Sequence, residues 1–119
     1  MKLTDVKIGK KIIKAKVASN FFTRAKGLMF KKNIEKDEGV VFVFKKDSFP
    51  KFWMFGMRFP LDMIWINSKK RIVDITLNAK PSLNPGKIYK PKKACKYVLE
   101  TKTNLLKDIE VGKVVNFEI

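Results

Sequence analysis

FWMFGMRFPLDMIWIN, residues 52–67, holds both tryptophans of the chain, three of its five methionines and three of its ten phenylalanines. Bulky apolar residues at this density predict strands through the centre of a fold. Proline cannot donate to a sheet ladder, so Arg58-Phe59-Pro60 divides the stretch into a strand over 52–57 and a second over 61–67. In the first, positions 53, 55 and 57 share one face and 52 and 54 the other. In the second, Asp62 shares a face with Ile64 and Ile66. A carboxylate among such neighbours needs a partner. Arg58, Arg24 or backbone N–H groups of the Phe59-Pro60 bend are the expected ones.

Outward from that stretch, the pattern is β on both sides. VVFVF (40–44) is β-branched and aromatic without polar alternation, so both its faces are expected to be covered. KIIKAKVA (11–18) and RIVDITLN (71–78) alternate as half-exposed strands do. Leu3–Ile8 can pair with 11–18 across Gly9-Lys10. ACKYVLET (94–101) and a final KVVNFEI also read as extended. Two short helices are expected. One lies over 20–27, where Phe21, Phe22, Ala25 and Leu28 recur at helical spacing behind a Ser19 or Asn20 cap. The other is a single turn over 102–109. Together these predict a mainly β, β-rich α+β chain: one compact barrel- or sandwich-like domain over 1–119 with two short helices.

Composition bounds the function. The chain has 119 residues and a net charge of +16, from 27 basic and 11 acidic residues. Arg24, Arg58 and Arg71 are its three arginines, and the remaining bases are lysines spread along the chain. Lysine abundance of this kind is a thermophile tendency and usually a solvated surface. It also implies weak, salt-dependent contact with polyanions such as nucleic acid. Histidine is absent, which removes the commonest general base and every Ser-His or Cys-His nucleophile pair. Cys95 is alone, so neither an internal disulfide nor a thiolate zinc site is expected. No metal and no cofactor are expected. The lysine-interrupted N-terminus lacks the apolar core of a secretory signal, and no apolar run is long enough to span a bilayer. A cytoplasmic monomer is therefore expected.

The motifs TRAKGLMFKK, GVVFVF, FWMFGMRFPLDMIWIN, YVLET and IEVGKVV resemble, in that order, the uncharacterised family known as domain of unknown function 192, or uncharacterised protein family 0127, in its archaeal form. The resemblance runs from about Arg24 to Val115. Its family positions fall on Arg24, Gly27, Leu28, Met29, Gly39, Phe52, Trp53, Met54, Pro60, Leu61, Asp62, Val98, Leu99 and Glu100. One departure matters: where the family pattern has Lys-Asn-Thr, this chain has Phe55-Gly56-Met57. The resemblance implies a compact β-rich domain and no established activity.

Three functions follow as expectations. The first is a non-catalytic module binding a small ligand or partner peptide in an apolar groove near Trp53 and Met54, rimmed by Arg24, Arg58 and Asp62, with Glu100 as a further candidate contact. The second is non-specific nucleic-acid binding through the lysines. The third is an enzyme that uses Asp62 and Glu100 as a paired acid and base. Arg24 is expected within reach of Asp62 or Glu100.

Overall fold

A computed structural model describes residues 2–19, 33–82 and 87–119. The helix expected over 20–27, and Arg24 with it, lie outside the described residues. The six strands are β1 (Leu3–Ile8), β2 (Lys11–Ala18), β3 (Glu38–Ser48), β4 (Leu61–Ile66), β5 (Ile72–Ala79) and β6 (Cys95–Lys102). They form one sheet in the order β1-β2-β3-β6-β4-β5. The pair β2/β3 is parallel and every other neighbouring pair is antiparallel. The β1–β2 hairpin turns where expected, with Gly9 at φ 59°, a left-handed conformation that glycine adopts without a Cβ clash.

Strand order explains the sequence pattern. The inner strands β3, β6 and β4 must be covered on both faces, and all six residues of β4 are buried. One face of the sheet carries Val6, Ile13, Val41, Ile64, Leu99 and their neighbours, together with Val115 and Phe117 of the C-terminal segment. The other carries Val40, Phe42, Leu61, Met63, Trp65 and Val98, covered by Ile34, Phe52, Met54, Met57 and Tyr89 from loops. Strands β1 and β2 alternate exposed and buried positions, with lysines at the exposed ones of β2, because one of their faces meets water.

The sheet is not a closed barrel. Its edge strands β1 and β5 do not pair with each other. The C-terminal segment instead bridges Lys7 of β1 through Asn116, and Arg71, the residue before β5, through Val114. Lys7 N–H donates to the Asn116 carbonyl at 2.7 Å, and Val115 N–H donates to the Lys70 carbonyl at 2.8 Å. The expected last strand therefore acts as a strap across the opening.

Two further expectations are corrected. The helical turn over 102–109 is absent, and the described residues contain no helix. Asn104 and Asp108 take φ of 63° and 59°, which breaks a right-handed helix at both ends of the segment. Nor is 52–57 a strand of the sheet; it is a loop that touches its neighbours through isolated bridges. Among the described residues, no helix is long and apolar enough to cross a membrane.

Gly39 shows how tightly β3 and β6 meet. A Cβ on Gly39 would stand 2.7 Å from the Glu100 carbonyl oxygen and 3.0 Å from Ile13 Cγ2. Gly39→Ala should therefore cost about 1–3 kcal/mol through overpacking. Urea denaturation checks this, and an unchanged midpoint would contradict it.

Candidate functional site

The loop before β4 is built on an in-and-out alternation. Phe52 and Tyr89 exchange backbone hydrogen bonds, Phe52 N–H to the Tyr89 carbonyl at 2.8 Å and Tyr89 N–H to the Phe52 carbonyl at 2.7 Å. This single bridge lays residues 51–55 and 88–90 side by side as a ribbon of two loops. Phe52 turns inward and meets Phe42, Phe44 and Trp65 edge-on, with ring centroids 5.0, 6.3 and 5.6 Å away. Met54 is buried beside them. Period two then sends the next positions outward. Trp53 is 53% exposed, Phe55 42% and Ile88 49%, flanked by exposed Lys51 and Lys90. Gly56 at φ 82° turns the chain, with Met57 N–H donating to the Met54 carbonyl at 3.2 Å. The two tryptophans thus differ. Trp65 is fully buried and donates its indole N–H to Thr76 Oγ1 at 3.0 Å, whereas Trp53 faces water.

The two candidate carboxylates are not brought together. In the β4/β6 register Asp62 stands opposite Thr101 and Met63 opposite Glu100. Adjacent residues of a strand point to opposite faces. Asp62 therefore lies on the face of Ile64 and Leu99, and Glu100 on the face of Met63, Val40 and Val98. The sheet separates them, so they cannot flank one bond as an acid and base. Asp62 is buried and accepts hydrogen bonds from backbone N–H of Asn78 at 2.8 Å and of Asn104 at 3.2 Å. Both asparagines have left-handed φ, at 54° and 63°, a conformation asparagine tolerates better than most residues. Asp62 thus ties the end of β5 to the turn after β6. Among the described residues its partners are backbone N–H groups, as expected for a buried carboxylate, but not those of the Phe59-Pro60 bend. Arg58 is exposed.

Glu100 is buried, and burial pushes its carboxyl up to about 8. It would be a neutral acid over much of the physiological range.

Sequence reasoning missed Asp74. It is buried in β5 and accepts from Ile75 N–H at 2.8 Å and from Lys92 N–H at 2.9 Å, which ties the 87–94 loop to the sheet. An aspartate at an inward position of an alternating strand was the available signal. Cys95 is fully buried, and its thiol is pushed up to about 12 by burial and then by the charges of Asp47 and Asp74. Iodoacetamide should therefore leave Cys95 of the native protein unmodified and label it once the chain is unfolded in urea. Rapid labelling of the folded protein would contradict this.

Comparison with known proteins identifies the chain. The profile of the family DUF192, described as uncharacterized ACR, matches residues 4–117. The chain belongs to the DUF192 family. Similar proteins of archaea carry the name UPF0127. That of Pyrococcus furiosus is 33% identical over 115 residues, covering 92% of each chain. That of Pyrococcus abyssi is 34% identical over 108 residues, covering 87% of this chain and 86% of the relative. That of Thermococcus kodakarensis is 34% identical over 100 residues, which are 82% of this chain but 59% of that protein's length. Two crystal structures share the fold. A protein of unknown function from Novosphingobium aromaticivorans superposes with TM-score 0.83 at 26% identity, covering 96% of this chain and 83% of that one. A putative transcription regulator from Sinorhizobium meliloti gives 0.81 at 25%, covering 98% and 91%.

Several DUF192 motif positions acquire physical roles here. Gly39 permits the close approach of β3 to β6, and the aspartate of Pro-Leu-Asp ties the end of β5 to the turn after β6. The glutamate of Val-Leu-Glu is the buried acid Glu100. Where the DUF192 pattern has Lys-Asn-Thr, Phe55 lies exposed, Gly56 turns and Met57 packs inward.

Proposed function

We propose that this DUF192 protein is a non-catalytic binding module whose contact surface is the outward side of the 51–55/88–90 ribbon. Its ligand is a small molecule or a short peptide with an apolar or aromatic group. The observation that carries the reading is the contrast within three consecutive residues: Phe52 and Met54 are anchored in the core while Trp53 between them is more than half exposed. Anchored neighbours hold the indole in place before any partner arrives, which reduces the entropy lost on binding. Trp53, Ile88 and Phe55 give the patch its apolar surface, and Lys51 and Lys90 give it a cationic margin. The groove expected near Trp53 is thus reframed. Met54 supports it from below, Arg58 stays at the surface, and Asp62 belongs to the clamp rather than the rim.

Fluorescence tests the reading. Trp53 is exposed and Trp65 buried, so a ligand on the ribbon should alter the exposed, red-shifted part of the emission. Hits from a fragment and peptide screen should lose about tenfold or more in affinity with Trp53→Ala, at an unchanged unfolding midpoint. Hits that bind Trp53→Ala as well as the parent would overturn the proposal.

A second reading, nucleic-acid contact, is favoured by the +16 charge and by the description of the Sinorhizobium meliloti neighbour as a putative transcription regulator. Scattered lysines support backbone contact rather than base readout. The acid–base enzyme reading receives no support from the β4/β6 register.

A further inference from the structure

A cleft of about 830 Å³ opens at the Lys102 end of β6, and its lining includes none of the ribbon residues. Among the described residues six lysines line it: Lys10 from the β1–β2 turn, Lys11 at the start of β2, Lys36 from the turn before β3, Lys102 and Lys107 from the end of β6 and the loop after it, and Lys113 from the C-terminal strap. Asp108 is the one carboxylate among its described lining residues. We propose that this cleft binds a compact anion carrying two or more closely spaced phosphate groups.

The physical case has three parts. First, the lysines come from four separate parts of the chain and converge on one concave surface, where a low-dielectric wall focuses their field. Ile8 and Leu106, both buried in the core, form part of that wall. Second, the wall is held by structure independent of any ligand. Gly9 sets the hairpin turn, Lys113 Nζ lies 3.5 Å from where a Cβ of Gly9 would stand, and Asn104 is tied to Asp62. Third, six ammonium groups around one cleft repel each other, and one carboxylate offsets a fraction of that repulsion. A ligand with several negative charges removes it. Lysine meets phosphate as a point charge, and Thr103 adds a hydroxyl donor. The cleft volume suits a small polyphosphate compound or a few phosphates of a nucleic-acid backbone.

Calorimetric titration with sodium tripolyphosphate tests the proposal. Binding should be 1:1 and about tenfold or more weaker at roughly 200 mM salt than at roughly 50 mM. The triple variant Lys102→Gln, Lys107→Gln, Lys113→Gln should lose about tenfold or more in affinity. The charge-matched triple Lys45→Gln, Lys46→Gln, Lys69→Gln, all exposed and outside the cleft, should lose less than about threefold. Urea unfolding of both triples establishes that each is folded. A single-stranded oligonucleotide of about 20 nucleotides is titrated in parallel. Whichever probe is held more tightly through the cleft lysines identifies the source of the phosphates. Equal weakening by the two triples, or no tripolyphosphate binding at low salt, would overturn the proposal. Either outcome leaves the Trp53 reading standing, since no ribbon residue is altered.

Discussion

Replacing Asp62 with alanine should destabilise the fold by roughly 3–5 kcal/mol, because it leaves two backbone donors without their charged acceptor. The carboxylate takes N–H groups from Asn78, at the end of β5, and from Asn104, just past the end of β6. Both residues sit in left-handed backbone that needs local support. Asp62→Asn keeps one carbonyl acceptor and should recover about half of the loss. Asp62→Leu should behave like alanine, since added apolar volume does not satisfy an N–H. Equilibrium unfolding in urea reads all three. Full stability in Asp62→Ala would mean that the clamp is not structural and would return Asp62 to the list of candidate contacts.

The second large effect is on pH dependence and belongs to Glu100. Its carboxyl is pushed up to about 8 by burial, from an ordinary value of 4.5. Below about pH 4.5 the group is protonated in both folded and unfolded chains and has no effect on stability differences. Between about pH 4.5 and 8 the folded protein keeps the proton that the unfolded chain has released, so stability falls as pH rises. Above about pH 8 the full loss is reached, on the order of 5 kcal/mol. Glu100→Gln removes the titration. The variant should match the parent near pH 4 and exceed its stability by several kcal/mol near pH 9. Parallel stability–pH curves for parent and variant would contradict the burial of Glu100 as a neutral acid.

Glu100 lies on the sheet face covered by Phe52 and Met54, the underside of the proposed binding ribbon. Its carboxyl and the exposed indole of Trp53 are thus two unusual features of the same side of the sheet.

How much of this was legible in the sequence depends on how local each cause is. The LDMIWI run read as a strand through the centre of the fold, and β4 lies between β6 and β5 with every residue buried. The β1–β2 hairpin rests on two adjacent strands and one glycine, all local, and formed as read. In 52–57 the alternation was real, since Phe52 and Met54 point in while Trp53 and Phe55 point out. What the sequence did not reveal was the partner of that segment: Tyr89, across a long loop, rather than a strand of the sheet. The helix expected over 102–109 failed because Asn104 and Asp108 adopt left-handed backbone, which spacing of apolar residues does not reveal. The partners of Asp62 lie 16 and 42 residues away, so no local pattern pointed to them. The separation of Asp62 from Glu100 is a matter of register. A one-residue slip of β4 against β6 would have reversed it.

The central claim is that ligands meet this protein on the outward side of the ribbon, at Trp53. The two indole N–H signals of a nitrogen-15 correlation spectrum test it most directly, assigned by Trp53→Phe. On titration with a hit from the fragment screen, the Trp53 indole signal should move and saturate with the binding curve. The signal of Trp65, buried and bonded to Thr76, should stay within about a line width. A ligand that saturates the protein and shifts the Trp65 indole while leaving Trp53 still would contradict the account.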